Sequence, residues 1–309
     1  MTTGDRIAVP ALLGPTAAGK SDIAINVCER LGLELLSCDS RQIYRYLDIG
    51  TAKPSESDRA RVPHWMIDIV DPSERFSAFK FARQAETIIR KLAARGKGVL
   101  LCGGTGLYFQ ALCKGLAPTI PEDPELRRTY LEMAKEHGLS AVYGELENVD
   151  PVSAASSHPS NLVRNIRALE VFAATGKPLS GLKALAAGPS DMVFDVMTLI
   201  PDRDILYPRI NARIDAMMSR GLLDEFMSLL RRGYSQASPG LNSVGYREFF
   251  AFKNGLSSLD QTIALIKQNS RHYAKRQITW FRRQVESYCV ASTLHATDEI
   301  THRIERFLR

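Results

Sequence analysis

Several specialised classes are excluded by what the chain lacks. Its five cysteines, Cys28, Cys38, Cys102, Cys113 and Cys289, include no CxxC pair and no metal-ligand spacing. That argues against a zinc knuckle and against a disulfide-paired scaffold. An odd number of thiols with no secretory segment ahead of them fits a reducing cytoplasm. The N-terminus has one arginine and then a seven-residue apolar run, which is expected to be a first strand and not a signal peptide. No stretch approaches 18 uninterrupted apolar residues, so no membrane partner is expected. There is no internal repeat and no low-complexity tract. What remains is 309 residues, 45% hydrophobic and 24% charged. Such a chain can bury a core as one large domain with an insertion, or as two domains. Lys and Arg outnumber Asp and Glu by 40 to 34, a mild excess that suggests an anionic partner.

The most specific string is GPTAAGKS (14–21). It meets the phosphate-loop pattern G-x-x-x-x-G-K-[ST] at Gly14, Gly19, Lys20 and Ser21. Its context is right as well: the apolar run IAVPALL (7–13) suits a buried strand, and SDIAINVCERL (21–31) has helical spacing. Glycines let backbone N–H groups converge on an anion at a helix N-terminus. Lys20 adds a point charge, and Ser21 offers a hydroxyl to Mg²⁺. Pro10 is unusual inside a central strand.

Strands then alternate with helices. LELLSC (33–38), VPHWMIDIV (62–70) and GVLLC (98–102) read as strands, and 77–96 as an amphipathic helix with Ser77 as its N-cap and Gly96 as its stop. The fold class is therefore α/β, a P-loop-type doubly wound parallel sheet, with ligands beyond the carboxyl ends of the strands. GPTAAGKS, DSRQ (39–42) and GGTG (103–106) should meet at that edge. From Pro118 the texture turns helical. We expect 119–190 to be a helical insertion domain and 1–118 with 191–309 to form the core. DMVFDVMTLI (191–200) returns to strand, and the rest is helical apart from a short strand near 288–292.

Asp39, just past a strand, could be a general base, a metal ligand or a turn cap. GVLLC does not end in an acid, which weakens an ordinary nucleotide-hydrolase reading. Arg209 and Arg213 lie four apart beside an Ile210, Ile214, Met217 stripe, where a solvated helix face is the simpler reading. KQNSRHYAKRQITWFRR (267–283) holds six Lys or Arg and no acid. Lys267, Arg271 and Lys275 recur every four residues, with Arg282 further on, and Tyr273, Trp280 and Phe281 are interleaved. Such a face can neutralise phosphates and stack bases, although Trp280 and Phe281 also suit a core. Arg164 and Arg167 add charge on a second helix.

Together these residues resemble the tRNA dimethylallyltransferase (tRNA isopentenyltransferase) family. The strings that carry the resemblance are GPTAAGKS, DSRQIYRYLDIGTAKP (39–54), PHWMIDIVDPSERFSAFKF (63–81), GGTGLY (103–108), RALEVFAATGKPLS (167–180), SVGYREF (243–249) and AKRQITWFRR (274–283). They run in family order over nearly the whole chain, without the C-terminal zinc-binding module some relatives carry. The resemblance implies transfer of a dimethylallyl group from dimethylallyl diphosphate to the exocyclic amine of the adenosine 3′ of the tRNA anticodon. It implies that Gly14, Pro15, Thr16, Ala17, Ala18, Gly19, Lys20, Ser21 and Arg213 hold the diphosphate, with Mg²⁺ on Ser21. Asp39, Lys20, Arg213 and Thr105 would be catalytic. Asp39, Ser40, Arg41, Gln42, Val163, Arg164, Asn165, Ile166, Arg167, Lys267, Arg271, Lys275, Arg276 and Arg282 would meet the tRNA anticodon stem-loop. A cytoplasmic monomer is expected. A prenyltransferase acting on free AMP or ADP, a small-molecule kinase and a non-catalytic RNA-binding protein are the alternatives.

Overall fold

The computed structural model describes residues 2–3, 6–116, 120–185, 189, 191–291 and 295–309. The expected domain boundaries at 118, 119 and 190, and the expected strand end at 292, lie outside the described residues. The chain forms two compact units, Met1–Cys113 with Ser190–Arg309, and Lys114–Pro189.

The first unit is built on one sheet. Its strands are β1 (Thr2–Thr3), β2 (Arg6–Leu13), β3 (Glu34–Cys38), β4 (His64–Trp65), β5 (Val99–Gly103), β6 (Met192–Leu199) and β7 (Tyr288–Val290). The order β4-β3-β5-β2-β6-β7 is parallel throughout, and β1 adds an antiparallel pair on β2. Helices Lys20–Leu31 and Ala78–Ala93, together with the C-terminal helices, cover it. The central strands are buried on both faces, as continuous apolar runs in parallel sheets require. Register brings the strand ends together: Leu13 is opposite Gly103, Cys38 is opposite Gly103, and Leu13 is opposite Thr198. The loops that follow β2, β3, β5 and β6 therefore leave from one edge.

Pro10 fits for a reason that follows from the ladder. The Ile7 N–H points to the β6 side, where it meets the Asp191 carbonyl at 2.7 Å. Alternation then sends residue 10 toward β5, and β5 pairs only from Ala11 onward. The missing N–H therefore falls at the start of the β2–β5 pairing, where it removes at most the first ladder bond and interrupts none. The strand expected over 62–70 is cut to His64–Trp65. Met66 and Asp68 take positive φ of 64° and 57°, which breaks the extended run.

The second unit is helical. Pro124–Glu136, Leu139–Val149, Pro151–Ala155, Leu162–Thr175 and Leu179–Ala184 pack on Val142, Leu146, Ile166 and Leu169. The buried Glu170 carboxylate is clamped by Arg127 Nε at 2.8 Å and Arg167 Nη1 at 3.1 Å. Asp150 caps the Pro151 helix and accepts the Ser180 hydroxyl at 2.6 Å.

Candidate active site

The loop after β2 wraps tightly before its helix begins at Lys20. Gly14 has a φ of 154°, and a Cβ there would sit 2.2 Å from the Leu199 carbonyl oxygen, so only glycine fits between β2 and β6. Ala17 and Gly19 are also left-handed, at 60° and 91°. The turns aim the N-terminus of the Lys20–Leu31 helix into a cleft of about 660 Å³ along the carboxyl edge of the sheet. Such an end offers N–H groups and positive potential to an anion.

Lys20 is buried, and its Nζ donates to the Pro15 carbonyl at 2.6 Å. Burial pulls its pKa down to about 8, and Arg213 pushes it the same way against the opposing pull of Cys102 and Asp39. Arg213 is half-buried on the Arg203–Ser219 helix, and burial lowers its pKa as well. Two cations are thus held out of water beside each other, a costly arrangement that an anion relieves. Ser21, Asp22, Arg209 and Arg220 share the cleft wall.

The loop after β3 brings the opposing carboxylate. Asp39 Oδ1 accepts the backbone N–H of Arg41 at 2.8 Å and of Gln42 at 3.3 Å. Among the described residues its Oδ2 accepts no hydrogen bond. Asp39 therefore closes a turn with one oxygen and leaves the other free of hydrogen bonds on the cleft wall. Ser40, Arg41 and Gln42 also line the cleft, but their polar groups are largely engaged. Gln42 Oε1 accepts from Ser37 Oγ at 2.9 Å and its Nε2 donates to the Ala52 carbonyl at 3.1 Å. Arg41 Nη1 donates to the Pro239 carbonyl at 3.3 Å.

The loop after β5 lies against the first two. The Thr105 N–H donates to the Cys38 carbonyl at 3.1 Å, and Thr105 Oγ1 accepts the Ser40 N–H at 2.9 Å. Tyr273 lies close by, and its pKa is raised to about 12, chiefly by burial. Thr16, Ala17, Ala18, Gly19, Lys20, Ser21, Asp39 and Arg213 line the cleft together, whereas Gly14, Pro15 and Thr105 stand behind its wall. Gly14 and Pro15 are buried at the base of the loop, and the half-buried Thr105 is engaged with Ser40.

The basic helix spans Leu259–Gln284. Lys267 is paired with Asp215 at 2.6 Å, and Arg271 donates to Asn211 at 2.7 Å. Lys275, Arg276, Arg282 and Arg283 are exposed and make no ion pair among the described residues. Phe281 is core, and Trp280 packs edge-on against it. In the second unit Val163 and Arg164 are exposed. Asn165 and Ile166 are interior, the first held by Ser157 and by the carbonyls of His158 and Pro159. Arg167 is bound to Glu170 and to the carbonyls of Ile120 and Pro121. The side chains of Asn165 and Ile166 both face the core of their own unit.

Sequence reasoning gave no role to Gln277, Cys102 or the segment 242–247, all of which bear on this cleft. Their placement depends on long-range packing, and no local pattern announces it. The family model described as IPP transferase matches residues 42–284. The chain belongs to that family. A tRNA dimethylallyltransferase of Thermotoga petrophila is 43% identical over 296 residues, 96% of each chain. One of Geobacter metallireducens is 46% identical over 88% of this chain and 89% of its own. The crystal structure of the tRNA isopentenylpyrophosphate transferase of Bacillus halodurans superposes with a TM-score of 0.69 at 36% identity, covering 98% of this chain and 97% of that one. A eukaryotic dimethylallyltransferase, described in crystallographic snapshots as acting on tRNA, gives 0.78 at 25% identity over 97% of this chain and 77% of its own. Among the described residues no helix is long and apolar enough to cross a membrane.

Proposed function

We propose that this chain transfers a dimethylallyl group from dimethylallyl diphosphate to the exocyclic amine of the adenosine 3′-adjacent to the tRNA anticodon, releasing diphosphate. One observation carries the reading: a single cleft sets the anion-seeking pair Lys20 and Arg213 opposite a carboxylate, Asp39, with one oxygen unused. The first feature suits a departing diphosphate, the second a nucleophile that must lose a proton.

As the allylic carbon–oxygen bond breaks, negative charge grows on the leaving diphosphate. Lys20, Arg213 and the amides of Ala17 to Ser21 meet that charge without reorganising. The adenine amine attacks the allylic carbon, and Asp39 Oδ2 orients it and takes its proton. Thr105 holds Ser40, and through it the turn that aims Asp39. The target base must leave its stack to reach the cleft, at a cost of a few kcal/mol.

Mg²⁺ fits the donor set. Ser21 has an exposed hydroxyl and shares the wall with Asp22 and Asp39. Magnesium takes hard oxygens, few of them from protein, and the rest from phosphate and water. When bound, it would neutralise charge on the diphosphate oxygens, held on the protein side by Ser21. Exposed Lys275, Arg276 and Arg282, and Arg164 on the insertion, would bind the anticodon stem-loop through its phosphates. The test is incubation with dimethylallyl diphosphate, Mg²⁺ and unmodified tRNA, followed by nucleoside mass analysis. Isopentenyladenosine is the expected product. Its absence, with free AMP prenylated instead, would overturn the assigned acceptor.

A further inference from the structure

The phosphate loop has given one of its amides away. The Thr16 N–H, which a bound anion could otherwise use, donates to Gln277 Oε1 at 3.0 Å. The same side chain donates from Nε2 to the Gly104 carbonyl at 2.8 Å. Gln277 is buried on the Leu259–Gln284 helix. A primary amide both donates and accepts at one tip. Glutamate would not donate, lysine and arginine would not accept, and asparagine is one methylene shorter. A flipped amide would set oxygen against oxygen and nitrogen against nitrogen, so the network fixes its orientation.

Neighbouring positions on the same helix face continue the contact. Tyr273, one turn before, comes close to Thr105. Trp280, one turn after, leaves no room at Gly106, where a Cβ would come within 2.2 Å of its ring. At Gly104 a Cβ would come within 2.5 Å of the Gln277 amide nitrogen. One helix therefore touches the GGTG loop at three successive levels and the phosphate loop at the middle one. On its outer face, between those contacts, it carries the exposed Lys275 and Arg276.

We propose that Gln277 is a positioning residue that couples RNA bound on the outer face of this helix to diphosphate bound in the loop. It ties both loops to one rigid element, so ordering that element orders the diphosphate site. By linkage, RNA then tightens diphosphate binding and diphosphate tightens RNA binding by the same factor. The coupling rests on the tRNA reading above; the clasp on the phosphate loop does not.

Calorimetric titration of the full chain with inorganic pyrophosphate, with and without an anticodon stem-loop RNA, tests this. Wild type should bind pyrophosphate several-fold more tightly when RNA is present. Gln277→Met keeps the side-chain length but neither bond. It should bind pyrophosphate several-fold more weakly, because neither loop is then tied to the helix, and should show no RNA effect. Its RNA affinity without pyrophosphate should stay within about twofold, below the roughly 5-fold to 150-fold change that a coupling of 1–3 kcal/mol gives. Gly104→Ala, which pushes on the same amide from the other side, should reproduce the loss if Gln277→Met does not fold. Wild-type pyrophosphate affinity in either folded variant, or no RNA effect in wild type, overturns the proposal. If wild type binds both ligands but prenylates no tRNA, the functional reading falls and the clasp is still judged by pyrophosphate alone.

Discussion

Lys20 and Asp39 show how a single side chain acquires a task from its surroundings. Lys20 would be fully charged at neutral pH in water, yet burial brings its pKa down to about 8. The folded protein therefore binds the proton less tightly than the unfolded chain does. Between about pH 8 and the ordinary 10.5 the unfolded state holds more protons, so this group's contribution to stability rises with pH across that window. A bound diphosphate reverses the preference, because an adjacent anion favours charged lysine. We expect pyrophosphate affinity to lose up to about tenfold per pH unit above pH 8 through this group. The check is to titrate wild type and Lys20→Met from pH 7 to 10. The slope difference between them isolates the lysine from the pyrophosphate's own ionisation, and equal slopes would refute the assignment. Asp39→Asn belongs to the same scale. Asparagine can still accept the Arg41 and Gln42 amides through its oxygen, so the turn should hold. It cannot take a proton, and single-turnover prenyl transfer should fall by about 10²–10⁴ while both substrates bind nearly as before. A rate within a few-fold of wild type would leave Asp39 as a turn residue only.

At the scale of elements, the Leu259–Gln284 helix has a split personality that its sequence reveals only in part. The absence of acid over 267–283 predicts a cationic face, and the four-residue spacing of Lys267, Arg271 and Lys275 makes these three look equivalent. They are not, because Asp215 and Asn211 on the neighbouring helix take the first two. Partner choice between distant helices is a packing fact, invisible to periodicity. The same limit explains Gln277, which looks like any polar residue in AKRQITWF. By contrast, the phosphate loop, the strand ends and the turn at Asp39 were legible, because their chemistry is local: glycines for positive φ, a capping carboxylate, apolar runs buried on both faces. The strand expected over 62–70 failed at Met66 and Asp68, whose left-handed backbone no propensity scale anticipates. A salt titration separates the two classes of cation. Changing Lys275, Arg282 and Arg283 to Gln should flatten the log–log salt dependence of tRNA affinity by about two units, at roughly 0.7–0.9 per lost phosphate contact. Lys267→Gln with Arg271→Gln should change the slope less and the melting temperature more. The reverse pattern would show that the internal pairs open to meet RNA.

For the whole molecule, the two units divide the labour between anion chemistry and an added helical surface. Every group assigned to the diphosphate lies in Met1–Cys113 or Ser190–Arg309, whereas Glu170 with Arg127 and Arg167 stabilises Lys114–Pro189 from within. A ligand that binds only the folded state stabilises by mass action, about 2.7 kcal/mol at a hundred times its Kd. For a domain of roughly 150–250 residues that corresponds to about 5–10 °C in Tm. Saturating pyrophosphate should therefore raise the melting temperature of wild type by this amount and leave that of Lys20→Ala nearly unmoved. The triple Gln variant of the basic helix should respond as wild type does, because its substitutions lie outside the phosphate loop. Hydrogen exchange read by segment then locates the effect. Protection should grow at 14–21, which holds the anion, and at 39–42 and 103–105, which are hydrogen-bonded to each other on the same cleft, and should stay constant over 124–175, where the helices pack on a core of their own. Equal gains in both regions would mean that the anion is held by more than the sheet edge, and the assignment of diphosphate to Lys20 and Arg213 would have to be abandoned.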